Sequence, residues 1–129
     1  MVFRRGSEPK RMIPLVKPKI QAQYPKDVCA VYAIFFRDFP SVAYFGSSKN
    51  VRARLLSHAN LLKQGKHKNW KLGKLYKSYK ASCWCTLVRV CETEKEAREW
   101  EQVYIDFDPR ATLNVDKTVY SYKKRKYNG

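Results

Sequence analysis

Acidic side chains are scarce in this sequence. Its 129 residues include 11 Asp and Glu against 27 Lys and Arg, which gives a formal net charge of +16. No acidic residue lies between Phe39 and Cys91, whereas basic residues recur throughout that stretch. A basic surface of this extent is typical of proteins that bind nucleic acid, because each neutralised phosphate releases condensed counterions. A basic protein without an anionic partner is the alternative interpretation.

An apolar run long enough to span a bilayer is also missing, and we find no signal peptide. No basic amphipathic helix stands apart from the core pattern, so the sequence does not favour binding to a membrane. The four cysteines form neither a C-x-x-C pair nor a zinc-finger spacing with histidine, which disfavours a structural zinc site. We expect reduced, mostly buried thiols in a cytosol-like compartment. These cysteines are Cys29, Cys83, Cys85 and Cys91.

The two ends of the chain differ from its centre. Residues 1–27 are basic and rich in proline, and we expect an N-terminal arm in which the prolines break regular elements. The apolar patch at residues 12–16 indicates that part of this arm packs down. Residues 117–129 interleave aromatic and basic side chains, as in a tail that stacks on bases and contacts phosphates, although a solvated terminus is equally common. The prolines of the arm are Pro9, Pro14, Pro18 and Pro25.

The centre begins with a predicted β-hairpin. Residues 28–36 form a continuous apolar run of strand length, residues 37–41 have turn chemistry, and residues 42–46 form a second strand. A hairpin with this loop brings Tyr32 and Tyr44 close to one another across the two strands.

A turn of small residues and an amphipathic helix follow the hairpin. We expect Ser47 or Ser48 to cap this helix. Arg54 and His58 lie four residues apart and therefore point the same way. A permanent, fork-shaped cation beside a group that titrates near neutral pH suits phosphate chemistry, whereas the alternative is a solvated helix flank. The buried stripe of the helix is formed by Val51, Leu55, Ala59 and Leu62.

The second half of the centre holds one residue in an unusual place. The pattern predicts a second helix near residues 70–79, a third strand over residues 81–91, and a last helix that Thr93 caps and Pro109 stops. Glu101 lies in the apolar stripe of this last helix. A buried carboxylate is costly unless a cation or strong donors meet it. Periodicity alone leaves a salt bridge and a metal site as equal alternatives for Glu101.

In their order along the chain, these residues resemble the GIY-YIG nuclease family, and most of all the catalytic domain of its homing endonucleases. Residues 30–32, Ala-Val-Tyr, match the GIY element, and residues 44–46, Tyr-Phe-Gly, match the YIG element. The resemblance covers residues 28–116, with Ala30 in place of the first glycine and Phe45 in place of the isoleucine. The other matching positions are Arg54, His58, His67 after Gly65, Glu101 and Asn114.

The resemblance implies an α+β domain with a small three-stranded antiparallel sheet flanked by helices. It also implies hydrolysis of a DNA phosphodiester with one divalent cation, Mg²⁺ or Mn²⁺, which Glu101 would hold. Tyr32 is implied as the general base, helped by Tyr44 or His58, and Arg54 as the cation that neutralises charge on the phosphorane. The remaining implied catalytic residues are His67, which assists at the phosphate or in proton transfer, and Asn114.

Double-stranded DNA is the expected substrate, RNA is the alternative, and no obligate protein partner can be inferred. The competing hypothesis is a non-catalytic module of the same fold that binds nucleic acid. Small nucleases of this kind occur in mobile elements, phages and restriction systems, so we expect a cytoplasmic protein of a bacterial or phage-infected cell. The expected nucleic-acid contacts are Lys49, Arg52, Lys66, Lys68, Lys71, Lys123, Lys124, Arg125 and Lys126.

Overall fold

The computed structural model describes residues 12–114, which form an antiparallel sheet with helices on both faces. The strands are β1 (Ile13–Pro14), β2 (Cys29–Phe36), β3 (Phe39–Ser48) and β4 (Cys83–Cys91). The helices are α1 (Lys17–Gln23), α2 (Val51–Gln64), α3 (Trp70–Tyr79) and α4 (Glu94–Phe107), and a 3-10 turn (Lys80–Ser82) precedes β4. The strand order is β1-β4-β2-β3, so β3 lies at one edge of the sheet.

The α+β fold class is confirmed, but the predicted number of three strands is wrong, because the sheet has four. The additional strand β1 pairs with the outer side of β4, where Ile13 lies opposite Cys85. Pro14 is tolerated there because one side of an edge strand has no ladder partner. Pro18 lies in the first turn of α1, where a helix does not need the missing N–H. The expectation that the prolines of the arm break every regular element is therefore wrong for residues 13–23.

The segment around β1 and α1 packs onto the rest of the molecule. Ile13, Leu15 and Ile20 are buried in the main hydrophobic core, as the apolar patch in this segment indicated. Residues 1–11 and 115–129 lie outside the described residues. The arm boundary after residue 27 and the tail over residues 117–129 therefore stay predictions.

The two faces of the sheet carry separate cores because successive side chains of a strand point to opposite sides. Tyr32 and Ile34 of β2 belong to the larger core, which α1, α2 and α3 cover. Ala33 of β2 and Phe45 of β3 belong to the smaller core, where Ile105 of α4 packs against them. Side chains of α2 and α4 therefore approach the end of β3 from opposite faces of the sheet.

The hairpin is tighter than its turn chemistry predicted, because β3 already begins at Phe39 and only residues 37–38 form the turn. Tyr32 lies opposite Gly46, and Ile34 lies opposite Tyr44. Tyr44 is therefore diagonal to Tyr32, and their ring centroids are 6.5 Å apart. The predicted proximity of the two tyrosines is confirmed.

Side-chain caps define where the helices begin. The expected serine cap of α2 is wrong: β3 continues through Ser48, and Asn50 caps the helix by accepting a hydrogen bond from the backbone N–H of Ala53 at 3.3 Å. The predicted cap of α4 is confirmed, since Thr93 Oγ1 accepts from the backbone N–H of Glu96 at 3.1 Å. α3 spans residues 70–79, where the sequence pattern predicts it.

Among the helices of residues 12–114, none combines the length and the apolar character needed to cross a membrane. The four cysteines are free thiols. Burial raises the pKa of Cys85 to about 12 and that of Cys91 to about 11. These thiols therefore stay protonated near neutral pH and are poor nucleophiles.

Candidate active site

Tyr32 occupies the middle of the central strand, with its ring buried in the larger core. The pairing of β2 with β4 shifts register between Val31 and Tyr32, a local irregularity of the kind that reorients a side chain. Tyr32 lies opposite Gly46, and a Cβ atom at Gly46 would collide with the Tyr32 phenol. An alanine at position 46 would therefore force the tyrosine ring to move.

His58 turns inward from α2 and is only 2% exposed. Its Nε2 lies 2.6 Å from Tyr32 Oη, and its Nδ1 lies 2.7 Å from His67 Nε2. The rings of His58 and His67 are stacked, with centroids 4.9 Å apart. Burial, together with the charges of Arg54 and His67, lowers the pKa of His58 to about 3. His58 is therefore neutral near pH 7, and the interpretation of a solvated helix flank does not describe it.

Asn69 is a residue of this site that the sequence reasoning missed. Its backbone N–H donates to His67 Nδ1 at 3.0 Å, and its side-chain amide donates to the Leu113 carbonyl at 2.6 Å. Its side-chain oxygen also caps α3 by accepting from the backbone N–H of Leu72 at 3.0 Å. An asparagine directly before a helix is a recognisable cap signal, but nothing local indicates its contact with His67.

Arg54 and Tyr44 complete a cluster on this face of the sheet that also contains Tyr32, His58 and His67, and that we name the Tyr32 cluster. The ring of Tyr44 meets His58 edge-on, with centroids 5.4 Å apart. Burial raises the pKa of Tyr32 well above its usual value, and the charge of Tyr44 raises it further. The positive charge of Arg54 and its hydrogen bond with the phenol lower it. Arg54 is thus the cation that favours an ionised Tyr32.

Glu101 of α4 approaches β3, the strand that carries Tyr44, from the opposite face of the sheet. Ser47 Oγ donates a hydrogen bond of 2.5 Å to Glu101 Oε1, a contact that the sequence reasoning did not foresee. Burial raises the pKa of Glu101 to about 7, against the Ser47 hydrogen bond and the charges of Arg54 and Arg98, which lower it. Within residues 12–114 no lysine or arginine forms an ion pair with Glu101. The salt-bridge alternative for this carboxylate is therefore not observed in the described part of the chain.

Asn114 lies against the backbone of the edge strand. Its side-chain oxygen accepts from the Phe45 N–H at 2.9 Å, and its amide donates to the Phe45 carbonyl at 2.8 Å. Next to this pair, the Ala43 N–H donates to the Arg110 carbonyl at 2.7 Å. The segment after α4 thereby covers the outer edge of β3 and satisfies its backbone groups. Asn114 supports the strand that carries Tyr44 and Ser47 and does not join the Tyr32 cluster.

The GIY-YIG catalytic domain is the family whose model matches this chain, over residues 28–114. The chain belongs to the GIY-YIG family. Searches of curated proteins and of solved structures found no match. The resemblance drawn from the motif residues is confirmed, and membership places the chain in a family of nucleases.

Five of the nine expected nucleic-acid contacts lie among the described residues. Lys49, Lys66 and Lys68 are exposed, whereas Arg52 and Lys71 are partly buried. Lys71 Nζ donates to the Thr112 carbonyl at 3.3 Å and lies 5.8 Å from the centroid of the Trp70 ring, which is 61% exposed. The other four expected contacts lie outside the described residues: Lys123, Lys124, Arg125 and Lys126.

Carboxylates suitable for a metal are few near the GIY-YIG motif residues. In the part of the chain that the structure describes, no group of three or more His, Cys, Asp or Glu side chains is arranged to hold a metal ion. Glu101 is the carboxylate that acts on the Tyr32 cluster, because its charge raises the pKa of both Tyr32 and Tyr44. A cation at this site would be coordinated by Glu101 together with water and substrate oxygens.

Proposed function

We propose that this protein is a metal-dependent endonuclease that hydrolyses DNA phosphodiester bonds. The observation that carries the proposal is the buried hydrogen bond between Tyr32 and His58 beside the Arg54 cation and the Glu101 carboxylate. A module that only binds nucleic acid has no need for a half-buried carboxylate that lacks an ionic partner among the described residues. The net charge of +16 supports a polyanionic substrate.

The residues present fit one divalent cation. Glu101 is a carboxylate with a pKa raised by burial and a neutral hydrogen-bond donor as its neighbour, so a cation would relieve the cost of its charge. Mg²⁺ usually keeps several waters and binds through one or two carboxylates and substrate phosphate oxygens. We therefore assign Mg²⁺ or Mn²⁺ to Glu101. When bound, such an ion polarises the phosphate and stabilises the leaving oxygen.

The other side chains have roles that follow from their chemistry. Arg54 neutralises charge that develops on the phosphate, because its planar fork can contact two oxygens at once. Tyr32 acts as the general base toward the attacking water. The charge and hydrogen bond of Arg54 lower the pKa of Tyr32 against burial, which raises it, and so favour the anion that this role needs. Tyr44 packs against His58 beside this oxygen. Asn114 acts indirectly by holding the edge strand in place.

Double-stranded DNA is the proposed substrate, and the exposed lysines near the motif residues supply its phosphate contacts. A homing, phage or mobile-element role in the cytoplasm of a bacterial or phage-infected cell accords with a small nuclease of this kind. Incubation of the protein with supercoiled plasmid, linear duplex DNA and single-stranded RNA, with Mg²⁺ and with chelator, tests substrate and metal together. We expect nicked or linear plasmid only when the cation is present.

The decisive variant is Glu101→Gln, with Glu99→Gln as its matched control on the exposed side of α4. A neutral amide is a poor ligand for a hard cation, so we expect Glu101→Gln to abolish cleavage and to bind duplex DNA at least as tightly as the natural chain. Glu99→Gln should cleave normally. Cleavage by Glu101→Gln would refute the metal site, and DNA binding by a natural chain that never cleaves would favour the non-catalytic module.

A further inference from the structure

A continuous chain of hydrogen bonds leads from a backbone amide to the Tyr32 oxygen. The Asn69 N–H lies 3.0 Å from His67 Nδ1, His67 Nε2 lies 2.7 Å from His58 Nδ1, and His58 Nε2 lies 2.6 Å from Tyr32 Oη. Each of the four ring nitrogens is used once. The first member of the chain is a backbone N–H, which can only donate.

That first donor determines the direction of every later bond. Because the Asn69 N–H donates to His67 Nδ1, this nitrogen carries no proton, and a neutral His67 carries its proton on Nε2. His67 then donates to His58 Nδ1, so that a neutral His58 carries its proton on Nε2. His58 in turn donates to the Tyr32 oxygen. A second proton on either ring would set two N–H groups against each other along the chain.

We propose that the Asn69 backbone amide and His67 are positioning groups that fix the tautomer of His58, so that His58 donates a hydrogen bond to Tyr32 and cannot receive its proton. The inference rests on the proposed nuclease function and deepens it. It decides between two roles for His58 as a helper of Tyr32: His58 stabilises the tyrosinate as a donor and is not a base. It also leaves His67 without a free nitrogen for the phosphate.

The proton then follows a defined route. Tyr32 first loses its proton to a solvent hydroxide ion, because His58 cannot accept it. The ionised Tyr32 oxygen then takes a proton from the attacking water, whose oxygen forms a new bond to phosphorus while the bond from phosphorus to the leaving oxygen breaks. The leaving oxygen takes its proton from solvent water. His58 neither gains nor loses a proton, and its Nε2–H together with Arg54 stabilises the tyrosinate before the transfer.

The surrounding structure holds the chain of bonds in place. His67 is clamped between the His58 ring, on which it stacks, and the Asn69 amide. Asn69 is itself fixed by its cap on α3 and by its hydrogen bond to the Leu113 carbonyl. Burial lowers the pKa of both histidines, as does the charge of Arg54, which agrees with a chain that stays neutral.

Nuclear magnetic resonance of the full chain tests the inference directly. His58 and His67 are the two histidines of the sequence, so protein labelled with ¹⁵N-histidine gives two ring systems that one variant assigns. In metal-free protein without DNA, between pH 6 and 8, we expect both rings to carry the proton on Nε2. A proton on Nδ1 of either ring, or a doubly protonated His58, overturns the proposal. Because no cleavage is measured, this outcome is independent of whether the protein is a nuclease.

Two variants of His67 extend the test to the reaction. His67→Gln keeps an N–H that can donate to His58 Nδ1, whereas His67→Phe keeps a stacked ring without any donor. We expect His67→Gln to retain the single His58 tautomer. His67→Phe should give mixed His58 tautomers and a rate roughly 10- to 100-fold lower at saturating protein, as for other groups that orient a functional histidine. A folded His67→Phe that keeps the single tautomer and the natural rate refutes the positioning role. Should His67→Phe fail to fold, the spectrum of the natural chain decides alone.

Discussion

Tyr32 Oη and His58 Nε2 are joined by a hydrogen bond of 2.6 Å between residues 26 positions apart, one on the central strand and one on the first long helix. Both side chains are buried, so each supplies the partner that the other's polar atom needs. An unsatisfied buried polar group costs about 1–3 kcal/mol. The pair therefore stabilises the packing of α2 on the sheet as well as orienting the phenol.

The space for the Tyr32 ring gives a prediction with an internal control. In Gly46→Ala the new Cβ meets the Tyr32 phenol, so we expect roughly 1–3 kcal/mol of destabilisation and a displaced Tyr32–His58 pair. Gly73 lies in α3 with no atom within 4 Å of an added Cβ. Gly73→Ala should therefore stabilise the protein by up to about 1 kcal/mol through helix propensity. Urea unfolding of both variants measures this, and equal stabilities would contradict the proposed steric clash.

Glu101 gives a prediction about pH and stability. Its pKa is about 7 in the folded chain, where burial raises it from 4.5. At a pH between these two values, the folded state binds a proton that the unfolded state has released. The free energy of unfolding therefore decreases as pH rises through this range. Glutamine resembles the protonated form. Metal-free Glu101→Gln should equal the natural chain near pH 4 and exceed it by up to about 3 kcal/mol at pH 8.

The stability of Glu101→Gln also distinguishes the two interpretations of a buried carboxylate. A structural ion pair would leave a cation unpaired in the variant and destabilise it by about 3–5 kcal/mol. If Glu101 instead belongs to a cation site, metal-free Glu101→Gln should be more stable than the natural chain. Unfolding of both proteins at pH 5 and pH 8, with Glu99→Gln as the surface control, measures the difference. If Glu101→Gln is less stable than the natural chain at pH 8, Glu101 belongs to an ion pair and the cation site is wrong.

His58 should give the opposite slope with pH. Its pKa is about 3 in the folded chain against 6.5 for an ordinary histidine, so between these values the unfolded state binds the additional proton. Stability contributed by neutral His58 is therefore complete above pH 6.5 and falls as pH decreases toward 3, by up to about 1.4 kcal/mol per pH unit. His58→Gln should be less stable near neutral pH, and its stability should depend less steeply on pH in this window. Identical slopes would show that folding does not lower the pKa of His58.

Local patterns in the sequence were sufficient for several elements. The span of α3 and the cap of α4 at Thr93 follow from helical period and capping chemistry, which depend only on neighbouring residues. The order of the motif residues was sufficient for the family. The placement of Glu101 toward the sheet also follows from period alone, because its stripe is shared with apolar neighbours.

Long-range contacts explain what the sequence did not predict. β1 has two residues, too few for a periodic signal, and forms because β4 offers an unpaired edge. The contact of Ser47 with Glu101 spans 54 positions, and that of Asn69 with Leu113 spans 44. The secondary-structure propensities of individual residues do not encode contacts between residues so far apart in the sequence. The burial of His58 likewise depends on its tertiary partner Tyr32. A hydropathy scale treats histidine as polar, so the sequence of α2 alone predicts an exposed side chain.

Arg54 gives the prediction that bears most directly on catalysis. Its charge lowers the pKa of Tyr32 and Tyr44 and repels a proton from His58. Arg54→Lys keeps a positive charge but loses the planar fork that can contact two phosphate oxygens together. We expect single-turnover cleavage at saturating protein to fall about 100-fold or more, the size found when a preorganised donor is lost. Thermal stability should change little because Arg54 is exposed on α2.

The control for Arg54→Lys is Arg37→Lys, in the hairpin turn, where the guanidinium lies over the Trp84 ring at 4.7 Å. It makes the same chemical change on the same protein without facing Tyr32. We expect Arg37→Lys to cleave at the natural rate, with a small loss of stability from the weaker stacking of lysine. Duplex DNA should bind both variants with similar affinity, because neither loses a charge. Should Arg54→Lys cleave as fast as Arg37→Lys, then Arg54 contributes only its charge, and the two-oxygen contact with the phosphate has to be abandoned.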